Sequence, residues 1–203
     1  MNLSAEALAC VRGERTVFTG LDFRLEAGGI LLLRGPNGAG KSSLLRLLAS
    51  LQRPAAGRLA WDGADVWDDP EAHRRRVTYV GHLDAVKPLL TVAENLGFWA
   101  RLAGGGRLAP ALDAFGLAHL AEVPARLLSA GQRRRTALAR LELAQGPLWL
   151  LDEPDASLDE DGLARLAQAI GRQRARSGLV IVASHHDLPL GEAQTLRLGG
   201  DSG

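Results

Sequence analysis

Gly35-Pro36-Asn37-Gly38-Ala39-Gly40-Lys41-Ser42 fits the phosphate-binding pattern G-x-x-x-x-G-K-[ST], and its flanks give the pattern a structural setting. Upstream, Ile30-Leu31-Leu32-Leu33 is a short apolar run of the kind that forms a buried strand. Downstream, Leu44, Leu45, Leu47, Leu48 and Leu51 predict a buried helix over Lys41 to Leu51. Gln52-Arg53-Pro54-Ala55-Ala56-Gly57 stops it. Glycines let successive backbone N–H groups turn inward as an anion nest, and the helix aims its positive end at the same phosphates. Lys41 neutralises phosphate charge, and the Ser42 hydroxyl is placed to ligate Mg²⁺. A nucleoside triphosphate is the ligand this arrangement implies.

Further along, Leu148-Trp149-Leu150-Leu151-Asp152-Glu153 is an apolar strand that ends in two acids. Such a strand delivers carboxylates to the edge of an α/β sheet where ligands bind. Asp152 would hold Mg²⁺ through water, and Glu153 would polarise the attacking water. Val182-Ala183-Ser184-His185-His186-Asp187 brings a histidine to another strand end, within reach of a γ-phosphate. Spacing alone leaves His185 and His186 open as alternatives.

The rest of the chain reads as a parallel α/β core interrupted by a mostly helical insert at roughly 83–145, with breaks at Gly104-Gly105-Gly106 and around Pro124. Val17 to Glu26, Arg58 to Trp61, Val77 to Val80, Leu179 to Ala183 and Thr195 to Leu198 read as strands, and Asp159 to Arg176 as a helix. The final Gly199-Gly200-Asp201-Ser202-Gly203 reads as a disordered tail. At 203 residues, 46% hydrophobic and 23% charged, the chain suits one folded domain. A net charge of +1 gives no bulk electrostatic case for nucleic acid or an anionic membrane surface. The single cysteine, Cys10, excludes an internal disulfide and fits a reducing compartment. The N-terminus lacks signal-peptide character, and no apolar run approaches the ~18 residues of a membrane span. A role at a membrane would therefore run through a partner. Only two of the 24 basic residues are lysines, Lys41 and Lys87.

Phosphate loop, Leu128-Ser129-Ala130-Gly131-Gln132, Leu151-Asp152-Glu153-Pro154, Ser157-Leu158-Asp159 and Ser184-His185, in that order, resemble the ATPase subunit of an ABC transporter over nearly the whole chain. The resemblance implies a P-loop NTPase core with an inserted helical subdomain and a small N-terminal β subdomain, all within one domain. It implies ATP and Mg²⁺ as ligands, with Gly35 to Ser42 and Ser43 on the phosphates. It implies Glu153 as general base, with His185 and Lys41 on the γ-phosphate, and Ser42, Asp152 and His82 around the metal. It also implies a head-to-tail dimer. Ser129, Ala130, Gly131 and Gln132 would contact ATP held by the other copy, with Asp159 as the acid crossing the interface. A hydroxyl and a backbone N–H at a helix start form a second anion nest, so the expectation is physically sound.

Departures narrow the resemblance. The family usually has glutamine where this chain has His82, and an aromatic residue on adenine where it has Arg12, 29 positions before Lys41. A guanidinium can also stack on a base. Gly81-His82 followed by Lys87 and Leu90-Thr91, the Ser-Ala-Gly-Gln signature and the short chain are similar to the CcmA-type haem exporter ATPases of cytochrome c maturation. That resemblance implies integral membrane partners, met through the segment around Lys87, a peripheral place on the cytoplasmic face of a bacterial inner membrane, and no direct haem contact. An ABC ATPase for another exported cargo is the nearer alternative. A DNA-associated ABC-type ATPase head is the remote one, because only 86 positions separate Ser42 from Leu128 and no heptad run fills them. No nucleic-acid partner is expected. Arg133, Arg134 and Arg135 read as surface and interface residues of the helix after the signature, and Trp61, Trp67, Trp99 and Trp149 as packing residues.

Overall fold

A computed structural model describes residues 1–199; of the expected disordered tail, Gly200 to Gly203 lie outside the described residues. Two sheets enclose the phosphate-loop helix. The first is antiparallel: β1 (Asn2–Arg12), β2 (Arg15–Glu26), β4 (Ala56–Trp61) and β5 (Ala64–Asp65), in the order β2-β1-β4-β5. The second is built from β3 (Ile30–Arg34), β6 (Val77–Val80), β7 (Leu148–Asp152), β8 (Leu179–Ala183) and β9 (Gln194–Arg197), all parallel, in the order β6-β7-β8-β3-β9.

Side-chain alternation in the parallel strands divides the core in two. Leu31, Leu33, Leu148, Leu150, Leu179 and Ile181 face α1 (Lys41–Leu48) and the antiparallel sheet. Ile30, Val80, Trp149, Leu151, Val180 and Val182 face the other way, onto the helical side. Every residue of β7 and β8 is buried, which explains the apolar runs 148–151 and 179–183; only Asp152, at the end of β7, is charged.

The helical insert holds α3 (Val92–Leu102), α4 (Leu108–Ala114) and α5 (Ala130–Ala139), with two 3₁₀ turns, Ala118–Leu120 and Ala125–Leu127, between α4 and α5. Its first stretch, from 83 to 91, is not helical; Thr91 and Glu94 then start α3 with a reciprocal capping box. The long helix α6 (Glu160–Ala175) returns to the core under an Asp159 cap.

Two elements and one helix end were not legible from pattern. The strand β1 is interrupted by register shifts around Ala7, whose φ is +47°, so its alternation is broken. The helix α2 (Pro70–Arg76) is one short, mostly polar segment, started by the Asp69 cap and Pro70. The expected helix to Leu51 ends at Leu48, because Ser50 turns to φ +52°.

The one apolar anchor site of α2 has a pH signature. His73 is fully buried, with Nε2 donating to the Leu48 carbonyl at 2.8 Å and Nδ1 without a hydrogen-bond partner among the described residues. Burial, with Arg76 and Arg74 nearby, depresses its pKa below 6.5 despite that hydrogen bond. The unfolded chain therefore binds the proton more readily, and stability falls as pH drops below about 6.5. Melting temperature should decline between pH 7 and 5, and His73→Gln should flatten the decline.

Candidate functional site

The N-terminus of α1 lacks what the other long helices have. Thr91, Ser129 and Asp159 cap α3, α5 and α6 with their side chains, while Gly40, before α1, offers none, and no acid lies in its first turn. The first backbone bond runs from Leu44 to the Gly40 carbonyl at 2.8 Å. The N–H groups of Lys41, Ser42 and Ser43 are thus left for an outside acceptor. Gly40 has φ +102°, and a Cβ there would fall 2.4 Å from Val17, so only glycine fits.

Above this helix start lies a cleft of about 670 Å³. Its floor is Asn37, Gly38, Gly40, Lys41, Ser42 and Ser43; Arg12, Gly13, Arg15 and Val17 from the β1–β2 hairpin form one wall, and Glu153 stands on the other side. Arg12 is therefore where a base-stacking group is expected. Gly35, Pro36 and Ala39 form the frame rather than the lining. Lys41 Nζ donates to the carbonyls of Gly35 at 2.7 Å and Pro36 at 3.1 Å, and the Ala39 N–H donates to the Pro36 carbonyl.

Asp152 and Glu153 end β7 beside this floor. Asp152 is 3% exposed, and among the described residues no Lys, Arg or His lies within ion-pair distance of its carboxylate. A buried carboxylate without a cation is costly, so Asp152 is a residue that would suit a divalent ion, with the Ser42 hydroxyl of the cleft floor as a further oxygen donor. Asp152 also helps burial to push the Tyr79 hydroxyl pKa up. Glu153 has φ +48°, a left-handed conformation that lets the chain turn sharply as the strand ends.

Two histidines converge on Glu153. His82 Nδ1 lies 3.1 Å from Oε2 and His185 Nε2 lies 3.5 Å from Oε1. His185 Nε2 is also 3.1 Å from Lys41 Nζ. An ammonium only donates, so in the contact with Lys41 the ring nitrogen is the acceptor. His186 points elsewhere, with Nδ1 at 2.6 Å from Asp155 Oδ2. Of the two alternatives, His185 is the one brought to the phosphate end of the cleft.

The signature residues are not in this cleft. Ser129 caps α5: its Oγ accepts from the Gln132 N–H at 3.2 Å, and its own N–H donates to Gln132 Oε1 at 2.9 Å. Ser129 and Ala130 are exposed. A Cβ on Gly131 would come within 2.8 Å of the Ser157 carbonyl, so glycine lets the signature helix pack directly on the Ser157-Leu158-Asp159 loop. Asp159 is exposed and caps α6 through the Gly162 N–H at 2.9 Å.

One arginine was misassigned from the sequence. Arg134 is not a surface residue; it is 2% exposed and packed under the end of β7. The signal was available, since Arg134 shares a helix face with Ala137, Leu138 and Leu141, all buried. Arg133 donates to the Leu128 carbonyl and Arg135 pairs with Asp161, closer to the expectation. Arg140 is buried too: it donates to the Tyr79 carbonyl, stacks over Trp99 at 4.7 Å, and has its pKa lowered to about 10, by burial first and Arg134 second. Trp149 and Trp61 are buried in the core, as packing residues should be.

The family profile described as ABC transporter matches residues 18–156. A cytochrome c biogenesis ATP-binding export protein CcmA of Rhodospirillum rubrum is 58% identical over 197 residues, covering 96% of this chain and 84% of that protein. The protein of the same name from Paramagnetospirillum magneticum is 54% identical over 201 residues, covering 96% and 93%. Among solved structures, an ATP-binding subunit of an ABC transporter superposes with TM-score 0.85 at 24% identity, over 98% of this chain and 86% of that one. A dimeric ATP-binding cassette bound to ADP and Pi superposes with TM-score 0.82 at 22% identity, over 97% and 94%. At those identities the structures speak for the fold alone.

Proposed function

The chain belongs to the ABC transporter family as an ATP-binding domain, and from that premise we propose that it is the ATP-hydrolysing subunit of a membrane complex for c-type cytochrome biogenesis, in haem export or release of a haem-loaded chaperone. The observation that carries the reading is the separation of two half-sites. Lys41, Ser42 and Glu153 line the cleft, while exposed Ser129 and Ala130 start a helix outside it. Two copies arranged head to tail would bring each signature helix N-terminus to the other copy's phosphates.

Within one site, the N–H groups of Gly38, Gly40, Lys41, Ser42 and Ser43 and the Lys41 ammonium bind the β- and γ-phosphates. Ser42 and Asp152 would hold Mg²⁺, which supplies positive charge to the phosphate oxygens. Arg12 stacks on the adenine. The Glu153 carboxylate takes a proton from water as its oxygen bonds to the γ-phosphorus, and the bond to the ADP oxygen breaks. His185, between Lys41 and Glu153, orients the γ-phosphate. His82 holds the Glu153 carboxylate from the side where related ATPases usually place glutamine.

The membrane partner would meet the loop from 83 to 91. Asn95 pins that loop by accepting from the Lys87 N–H at 2.7 Å and donating to the Lys87 carbonyl at 3.1 Å. Lys87 is exposed, as are Leu83, Leu89 and Leu127; the Arg126 N–H to Pro88 carbonyl bond draws Leu127 to the same face. A cation among exposed leucines suits an acidic, amphipathic segment of a membrane subunit. No helix among the described residues is long and apolar enough to cross a membrane, which agrees with a peripheral place at the cytoplasmic face of the inner membrane. No residue of this chain need touch haem.

The test is deletion of the gene, with membranes stained for covalently bound haem. The deletion strain should lack c-type cytochromes, the wild-type gene should restore them, and Lys87→Ala should restore them poorly while keeping ATPase activity. Normal c-type cytochromes in the deletion strain would overturn the cargo assignment. Full co-purification of Lys87→Ala with the membrane subunit would overturn the role of Lys87.

A further inference from the structure

Arg134 has five N–H donors, and each one has an acceptor. Nε donates to the Pro154 carbonyl at 3.3 Å. One terminal nitrogen donates to the Asp152 carbonyl at 2.9 Å and the Glu153 carbonyl at 2.7 Å. The other donates to the Gly81 carbonyl and to Asp84 Oδ1, both at 3.1 Å. A planar fork with five donors is the only side chain that can satisfy this set. Lysine, with three donors on one nitrogen, cannot reach acceptors spread around a plane.

The acceptors are not scattered. Three are the consecutive carbonyls that bracket Glu153, the residue held at φ +48°. The fourth belongs to Gly81, whose successor His82 contacts the Glu153 carboxylate. The fifth, Asp84, lies in the loop that leads to Lys87. Arg134 itself stands on α5, less than two turns after Ser129, the signature cap. One buried guanidinium therefore joins the helix that begins at the signature to the backbone of the general base, to the histidine beside it and to the root of the partner-facing loop.

We propose that Arg134 is the positioning residue that sets Glu153 and His82 for hydrolysis and ties their geometry to the placement of the signature helix. It touches neither nucleotide nor water; it acts through the main chain. A displacement of α5 would pull on the Asp152–Pro154 carbonyls directly, so Glu153 is placed to take the proton from the attacking water only when α5 is seated. This rests on the assignment of Glu153 as general base.

Three single variants and one double variant separate the possibilities. In Arg134→Gln and Arg134→Lys, kcat for ATP should fall at least about thirtyfold while KM stays within about threefold, because the phosphate-binding floor is untouched. Asp84→Asn, which spares all four carbonyl bonds, should stay within about threefold of wild type. Adding Arg134→Lys to Glu153→Gln should lower the residual rate by less than about threefold, since both changes disable the same group. Wild-type kcat in Arg134→Lys would overturn the proposal, as would a KM rise matching the kcat loss. A fully multiplicative loss in the double variant would also overturn it. Should Arg134→Gln fail to fold, the Arg134→Lys and double-variant rates still decide. Retained hydrolysis in Glu153→Gln alone would instead sink the general-base assignment and leave the Arg134 contacts to be explained otherwise.

Discussion

Glu153→Gln should bind ATP about as tightly as wild type and hydrolyse it about 10²- to 10⁴-fold more slowly, the usual contribution of a positioned general base. Glutamine keeps the shape of the side chain and its acceptor oxygen, so the contact to His82 survives. It cannot take the proton from water. Because the carboxylate does not line the phosphate-binding N–H groups, the loss should fall on kcat and leave KM within about threefold. His82 offers a graded comparison: His82→Ala removes one of the two groups flanking Glu153, while His82→Gln restores the residue related ATPases usually carry. The glutamine variant should be the faster of the two.

Lys41→Ala should act on the other kinetic parameter. Lys41 is 6% exposed, and its ammonium is held over the loop by the Gly35 and Pro36 carbonyls. Charged hydrogen bonds contribute about 1.5–3 kcal/mol each, so removing the cation from a bound triphosphate should weaken ATP binding by about 100-fold or more. The alanine also leaves the Gly35 carbonyl without its Lys41 donor, the Pro36 carbonyl with the Ala39 N–H alone, and His185 without its neighbour. Hydrolysis should then be undetectable at millimolar ATP. Arginine at 41 should not rescue it, because a planar guanidinium does not fit a space shaped for a compact ammonium at the head of α1. Equilibrium binding of a fluorescent ATP analogue checks the first statement, and phosphate release the second.

The half of the site that depends on local pattern was legible in the sequence. An apolar strand, a glycine loop and a leucine-rich helix follow one another without interruption, and the structure keeps that order as β3, loop and α1. The same holds for β7 running into Asp152 and Glu153, since a strand buried on both faces has to be apolar throughout. What stayed hidden depends on contacts far apart in sequence. The helix face of Arg134 carries a signal for its burial, but its five acceptors, on residues 81, 84 and 152–154, come from segments that sequence spacing does not bring to it. His185 and His186 are adjacent, and only the third dimension assigns one to Lys41 and the other to Asp155. The strand β1 escaped because a residue with positive φ, Ala7, breaks its period. The helix α2 escaped because seven residues carry too little periodicity to be seen.

The signature residues lie outside the cleft of their own chain, which makes the shared site the central claim. The most direct measurement is the solution mass of Glu153→Gln by light scattering, with and without saturating ATP. The chain has a mass of 21.6 kDa. Without nucleotide that mass is expected; with ATP the variant should move to twice it, and adding Ser129→Arg should return it to the single-chain mass by blocking the signature face. A Glu153→Gln protein that binds ATP and still weighs 21.6 kDa would contradict the account.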